Sequence, residues 1–129
     1  MAPGADRQPR ILLVDDDEVN LLLTGAALRE RGFTVHEATG GLAAMRMLAD
    51  WSPDVMVLDA VMPGMDGFQF LASVAQGGFA GALIIVSGQT SDVLHSAALV
   101  AKLRRFTVLG SIAKPVDKEA LSGMLAMLG

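Results

Sequence analysis

Short, unbroken runs of aliphatic residues recur along this chain and predict the strands of a parallel sheet. Three runs are strongly apolar, Ile11–Val14, Val55–Leu58 and Leu83–Val86, and a weaker one spans Val108–Ile112. Continuous rather than alternating hydrophobicity is typical of strands that helices cover on both faces. A fifth run, Phe33–Glu37, alternates between apolar and polar residues, which favours an edge strand.

Five stretches with helical periodicity separate and follow these runs. In the first stretch, Val19, Leu22, Leu23 and Ala26 share one face, and Gly32 is well placed to end the helix. The fourth stretch, Ser91–Arg105, is unusually apolar. The apolar positions of the second, third and fifth stretches are Leu42, Met45, Leu48 and Ala49, then Phe70, Leu71 and Val74, then Ala120, Leu121, Met124, Leu125 and Leu128.

Strands that alternate with helices in a chain of 129 residues predict one open, doubly wound α/β domain. We expect a flavodoxin-like five-stranded parallel sheet of order 2-1-3-4-5 with five helices. The predicted domain covers residues 10–129, after a flexible tail at residues 1–9 that is polar and rich in Pro and Gly. In such sheets the ligand site lies beyond the carboxyl ends of the strands, where the strand order reverses.

Composition excludes several classes of function. The net charge of −4 argues against direct binding of nucleic acid, and the absence of cysteine removes disulfides, thiolate chemistry and Cys-based metal sites. No apolar run approaches the roughly 20 residues of a membrane-spanning helix, and the first ten residues lack the apolar core of a signal peptide. We therefore expect a cytoplasmic location without membrane contact.

The first polar side chains after the predicted strands are the candidates for chemistry. They are Asp15, Asp16 and Asp17 after the first strand, Asp59 after the third, Ser87 after the fourth and Lys114 after the fifth. In the predicted strand order the first and third strands are neighbours, which brings Asp15 and Asp16 beside Asp59. Three carboxylates at one point repel each other, and a hard divalent cation with oxygen ligands and bound waters, above all Mg²⁺, relieves the repulsion. Asp17 is instead interpreted as the cap of the following helix.

Four motifs in this order resemble the receiver domains of two-component response regulators. They are Ile11-Leu-Leu-Val-Asp-Asp, Pro53-Asp-Val-Met-Val-Leu-Asp-Ala-Val-Met-Pro-Gly-Met-Asp-Gly67, Ile84-Ile-Val-Ser-Gly and Lys114-Pro115. The resemblance extends from about Arg10 to Leu128, and the segment Pro53–Gly67 is the most specific part.

The resemblance implies a role for each site residue. Asp59 would accept a phosphoryl group from a phosphohistidine on a sensor histidine kinase or a phosphotransfer protein. Asp15, Asp16 and Asp59, with the backbone carbonyl of Val61, would bind Mg²⁺. Lys114 and Ser87 would contact oxygens of the phosphoryl group, so that the domain catalyses only its own phosphorylation and dephosphorylation.

Two features concern how the signal leaves the site, and the first of them departs from the family pattern. The large aromatic that the family usually carries three residues before the lysine is Ser111 here, so switching through that side chain is not expected. The stretch Ser91–Arg105 carries more apolar surface than one sheet-facing stripe requires. We hypothesise that the fourth and fifth helices form a homodimer or a surface for a downstream effector.

Three alternatives remain open from the sequence alone. Asp15-Asp-Asp-Glu-Val19 after an apolar strand also fits the opening motif of haloacid-dehalogenase-like phosphohydrolases, with Asp15 as nucleophile and Asp17 as acid. The chain could also be a non-phosphorylated pseudo-receiver that acts as an interaction module. The segment Val108–Pro115 resembles receivers fused to EAL-type phosphodiesterases, so the chain is either a small regulator or the first domain of a longer protein.

Overall fold

A computed structural model describes residues 9–59, 61–62, 65–76, 79, 81–87, 107–113 and 116–126. In these residues strands and helices alternate, with a short two-stranded ribbon after the third strand. The strands are β1 (Arg10–Asp15), β2 (Thr34–Thr39), β3 (Val55–Asp59), β4 (Val61–Met62), β5 (Met65–Asp66), β6 (Ala82–Ser87) and β7 (Thr107–Ala113). The helices are α1 (Glu18–Glu30), α2 (Gly41–Asp50), α3 (Gly67–Gln76) and α4 (Lys118–Ala126).

The main sheet is parallel and has the order β2-β1-β3-β6-β7. Counted along the five long strands this is 2-1-3-4-5, which confirms the predicted topology, and the alternating strand β2 lies at an edge as expected. The ribbon β4-β5 is antiparallel and separate from the main sheet. Its position directly after β3 places the ribbon near the carboxyl end of the sheet.

Both faces of the central strands are buried, which explains their continuous hydrophobicity. In β1, Leu12 and Val14 join the core beneath α2 and α3, whereas Ile11 and Leu13 join the core beneath α1 and α4. All four side chains are at most 3% exposed. Complete burial of an aliphatic side chain stabilises a fold by about 1.5–3 kcal/mol, so these short strands contribute to two cores at once.

Both ends of α1 are fixed by local hydrogen bonds. The Asp17 carboxylate accepts hydrogen bonds from the backbone N–H groups of Val19 and Asn20, at 3.0 and 3.2 Å, which confirms Asp17 as the cap. At the other end, Gly32 adopts a φ of 93°, a left-handed conformation that favours glycine. Gly32 N–H donates to the carbonyl of Arg29 and Phe33 N–H to that of Leu28, and these bonds close the helix.

The apolar face predicted for α1 does not pack against the sheet. Val19, Leu22 and Leu23 are 65%, 62% and 55% exposed, and the face that points inward contains Leu21, Thr24, Gly25 and Leu28. At Gly25 an added Cβ would lie 2.5 Å from Oε2 of Glu37, so the lack of a side chain leaves room for the ion pair between Glu37 and Arg29. Hydrophobic periodicity does not predict this inner face, because Thr24 and Gly25 interrupt its apolar pattern.

Smaller corrections concern α2 and α4. Leu42 is 66% exposed and Ala49 is also exposed, whereas Ala44 is fully buried and Met45 and Leu48 are half-buried. In α4, Leu121 and Leu125 are buried as expected, but Ala120 is exposed. The predicted face of α3 is confirmed, because Phe70, Leu71 and Val74 are at most 3% exposed.

Several predicted features lie outside the described residues. They are most of the N-terminal tail, the predicted fourth helix Ser91–Arg105, the Lys114-Pro115 pair and Leu128. Within the described ranges, no helix combines the length and the hydrophobicity that crossing a membrane requires.

Candidate functional site

Three carboxylates meet at the carboxyl end of the sheet. Asp15 ends β1 and Asp59 ends β3, and these strands are direct neighbours with Val14 opposite Leu58. Asp15 is 4% exposed and Asp59 is 3% exposed, whereas Asp16 is exposed to solvent. One carboxylate oxygen from each of the three lies within 4.8 Å of the others. The expectation that strand order brings Asp15, Asp16 and Asp59 together is correct.

The start of α1 fixes the orientation of the Asp15 carboxylate. Its Oδ1 accepts a hydrogen bond from Asp17 N–H at 3.0 Å, and its Oδ2 accepts one from Nδ2 of Asn20 at 2.6 Å. Burial of a carboxylate is costly unless hydrogen bonds replace its hydration, and these two donors do so. The sequence did not identify Asn20 as a site residue, because a polar residue in the first turn of a helix resembles ordinary helix surface.

A cavity of about 20 Å³ adjoins the buried carboxylates. This volume accommodates about one water-sized molecule. The residues that line it come from α1, from the ends of three strands and from the segment before α4: Leu13, Val14, Asp15, Asn20, Leu21, Thr24, Val57, Asp59, Val86 and Val116. The site is therefore continuous with a small internal space between α1 and the sheet.

The donor set suits a hard divalent cation. Oxygens around an octahedral Mg²⁺ lie about 2.0–2.1 Å from the metal, so that opposite ligands are about 4.2 Å apart. Three such ligands include at least two neighbouring pairs, which lie about 3 Å apart, so the oxygens of Asp15, Asp16 and Asp59, now within 4.8 Å of one another, move closer by up to about 2 Å to bind one ion. Three ionised carboxylates also carry three negative charges, which favours a divalent cation over a monovalent one. The residues present thus fit Mg²⁺.

The other predicted site residues are described only in part. Ser87 ends β6, which lies beside β3 with Val86 opposite Asp59, so its backbone is at the same edge of the sheet. Val61 begins the β4-β5 ribbon two residues after Asp59, where its backbone pairs with Asp66. Lys114 lies outside the described residues, directly after the end of β7 at Ala113.

A doubly wound sheet with clustered carboxylates after its first and third long strands defines a CheY-like receiver domain. The response regulator receiver domain model matches residues 11–126, and the chain belongs to this family of two-component signal transduction. The family match covers nearly all of the described residues, including Asp15, Asp16 and Asp59.

Individual relatives agree with the family assignment. Protein PilH of Pseudomonas aeruginosa is 30% identical over 112 residues, which are 87% of this chain and 90% of PilH. Response regulator PleD of Caulobacter vibrioides is 48% identical over 59 residues, which are 46% of this chain and 13% of PleD. The solved signal receiver domain of an HD domain-containing protein from Pseudomonas fluorescens Pf-5 is 28% identical, with a TM-score of 0.81 over 95% of this chain and 94% of that chain.

Many relatives are much longer than the matched segment. That segment covers 13% of PleD and 7% of the sensor protein GacS from Pseudomonas syringae. The similarity to those proteins therefore concerns only a short segment of each.

Proposed function

We propose that this receiver domain takes a phosphoryl group onto Asp59 from a phosphohistidine of a sensor histidine kinase or a phosphotransfer protein. The observation that carries the proposal is the cluster of Asp59 with Asp15 and Asp16 at the carboxyl end of the sheet. Asp59 is 3% exposed and ends a central strand, so its carboxylate is held by a rigid element. A nucleophile on a fixed strand end is positioned for in-line attack, which phosphoryl transfer requires.

The reaction exchanges one bond to phosphorus for another. A carboxylate oxygen of Asp59 forms a bond to phosphorus while the P–N bond to the donor imidazole breaks, and the imidazole nitrogen keeps the electron pair. Asp15, Asp16, Asp59 and the backbone carbonyl of Val61 would hold Mg²⁺. When bound, Mg²⁺ neutralises the negative charge that gathers on the phosphoryl oxygens.

Lys114 and Ser87 complete the proposed site on the strength of the family resemblance. Lys114 would place a compact positive charge against one phosphoryl oxygen, and Ser87 would donate a hydrogen bond to another. The backbone of Ser87 at the end of β6 and the end of β7 just before Lys114 support this assignment. No reaction beyond the domain's own phosphorylation and dephosphorylation is proposed.

The exposed apolar face of α1 supports a docking surface for the phosphoryl donor. Val19, Leu22 and Leu23 lie within two turns of Asp17, the residue that follows the acidic pair. A protein donor must bring its phosphohistidine to the Asp59 carboxylate, so it has to contact the surface that surrounds the site. Three neighbouring side chains that are each more than half exposed form an apolar patch of the kind that proteins bind.

Intact mass measurement tests the acceptor and separates the alternatives. The wild type, Asp59→Asn and Asp15→Asn are incubated with Mg²⁺ and acetyl phosphate. We expect a phosphoryl adduct on the wild type that Asp59→Asn abolishes. An adduct or turnover that survives Asp59→Asn but not Asp15→Asn indicates the phosphohydrolase alternative, whereas no adduct on any form indicates a pseudo-receiver.

The phosphorylated domain is proposed to signal through two helices. One is the predicted fourth helix, Ser91–Arg105, and the other is the fifth predicted helix, which is α4 (Lys118–Ala126) in the structure. The basis is the apolar excess of Ser91–Arg105 in the sequence. Sedimentation with and without beryllofluoride, a phosphoryl mimic, tests whether a homodimer forms, and a monomer in both conditions contradicts it. The cytoplasmic location and the extent of the domain at residues 10–129 remain predictions.

A further inference from the structure

We infer that Asn20 is a positioning residue for the metal site, because its side-chain amide sets the orientation of the Asp15 carboxylate. The inference rests on the proposed function, since it concerns the same Mg²⁺. Nδ2 of Asn20 donates to Oδ2 of Asp15 at 2.6 Å, the shortest of the hydrogen bonds described around the site. Asp15 is 4% exposed, so bulk solvent has little access to its carboxylate.

Asn20 is itself held in place. Its backbone N–H donates to Oδ1 of Asp17 at 3.2 Å, and Asp17 N–H donates to Oδ1 of Asp15 at 3.0 Å. Asp15, Asp17 and Asn20 thus form a closed network of hydrogen bonds over the first turn of α1. Both oxygens of the Asp15 carboxylate are therefore held by donors from the start of α1.

The chemistry of an amide suits this position better than that of other donors. A lysine or arginine would place a permanent positive charge beside Asp15 and compete with the metal. A second carboxylate at 2.6 Å would repel Asp15 instead of holding it. Asn20 orients Asp15 without changing the charge of the cluster, as partners of metal ligands commonly do.

Divalent cation binding tests the inference directly. Mn²⁺ is titrated into four proteins: the wild type, Asn20→Leu, Asn20→Ala and Asn20→Gln. Electron paramagnetic resonance measures the free Mn²⁺. The affinity for Mg²⁺ is then measured by competition with Mn²⁺. Leucine has a similar size and favours helix, and alanine removes the side chain. Glutamine keeps the amide on a longer stem. Thr24→Val is the matched control, because Thr24 lines the same cavity one turn further along α1 without a described hydrogen bond to Asp15.

We expect Asn20→Leu and Asn20→Ala to weaken cation binding by about 10-fold or more, the usual effect of losing a partner of a metal ligand. Asn20→Gln should recover most of the affinity, and Thr24→Val should bind as the wild type does. Phosphorylation by acetyl phosphate should require more Mg²⁺ in Asn20→Leu but approach the wild-type rate when Mg²⁺ saturates. Thermal unfolding without metal identifies any variant that fails to fold. Cation affinities are then compared only among the folded variants.

The other outcomes separate a failure of the inference from a failure of the proposed metal site. If the wild type binds the cation and folded Asn20→Leu binds it equally well, the inference is wrong and the proposed function is untouched. If Thr24→Val loses as much affinity as Asn20→Leu, packing of the cavity and not the amide controls the site, which also overturns the inference. If the wild type itself binds no divalent cation, the proposed metal site fails, and the inference fails with it.

Discussion

Replacing Asp59 by asparagine should stabilise the metal-free fold, because it removes one of the three mutually repelling charges. Asparagine has nearly the same shape, so packing at the end of β3 is preserved. Oxygens of Asp15 and Asp59 lie at most 4.8 Å apart, and both residues are buried. Two unit charges at 4.8 Å repel by about 3.5 kcal/mol at an effective dielectric constant of about 20.

The net gain is smaller than this repulsion. Hydrogen bonds from Asp17 and Asn20 spread the charge of Asp15, and solvent reaches the exposed Asp16. We therefore expect the free energy of unfolding of Asp59→Asn to exceed that of the wild type by about 1–2 kcal/mol without metal. With Mg²⁺ at about 100 times its dissociation constant, the wild type gains about 2.7 kcal/mol, and the variant should gain much less.

Urea unfolding in EDTA and in excess Mg²⁺ measures both effects. Asp50→Asn is the control, because Asp50 is an exposed carboxylate at the end of α2 and should change stability by less than about 0.5 kcal/mol. If Asp59→Asn is less stable than the wild type in EDTA, repulsion between the carboxylates does not control the stability of the metal-free cluster. An equal response of both proteins to Mg²⁺ would refute the assignment of Asp59 as a ligand.

Three further substitutions test other parts of the structure. Leu23→Ser should slow transfer from a phosphorylated kinase domain but leave phosphorylation by acetyl phosphate unchanged, and equal effects on both donors contradict a docking role for α1. Thr24→Val should raise the free energy of unfolding by about 1 kcal/mol in urea, because the buried Thr24 hydroxyl has no hydrogen-bond partner within the described part of the chain. A loss of stability would indicate a partner for that hydroxyl. Asp17→Ala should lower the unfolding free energy by about 1 kcal/mol through loss of the α1 cap, and unchanged stability would contradict the capping role.

The sheet and the acidic cluster were predictable because strong, local signals determine them. Aliphatic runs such as Ile11–Val14 and Val55–Leu58 have few alternatives to a doubly covered strand, and the order of a doubly wound sheet then places Asp15 beside Asp59. The roles of Ser87 and Lys114 came from the family resemblance. A lone serine or lysine after a strand carries no comparable signal.

The rotation of α1 was not predictable from hydrophobic periodicity. Two faces of this helix compete, and the more apolar one, with Val19, Leu22 and Leu23, is exposed. Tertiary contacts decide the outcome, since Asn20 hydrogen-bonds to Asp15 and the Glu37 side chain lies over Gly25. Such an exposed apolar face supports the donor-docking surface that is proposed for α1.

The first turn of α1 takes part in both roles proposed for this helix, which are to orient Asp15 and to contact the phosphoryl donor. Asp17 holds Asp15 through its backbone N–H, and its carboxylate caps the N–H groups of Val19 and Asn20. A donor protein that contacts Val19 would therefore contact the same turn that orients Asp15, the proposed metal ligand. If that contact depends on the turn being well ordered, cation binding and donor binding must favour each other by the same factor, because linkage is reciprocal. The proposed donor surface and the proposed metal site would then be coupled through the residues from Asp15 to Val19, which lead from β1 into α1.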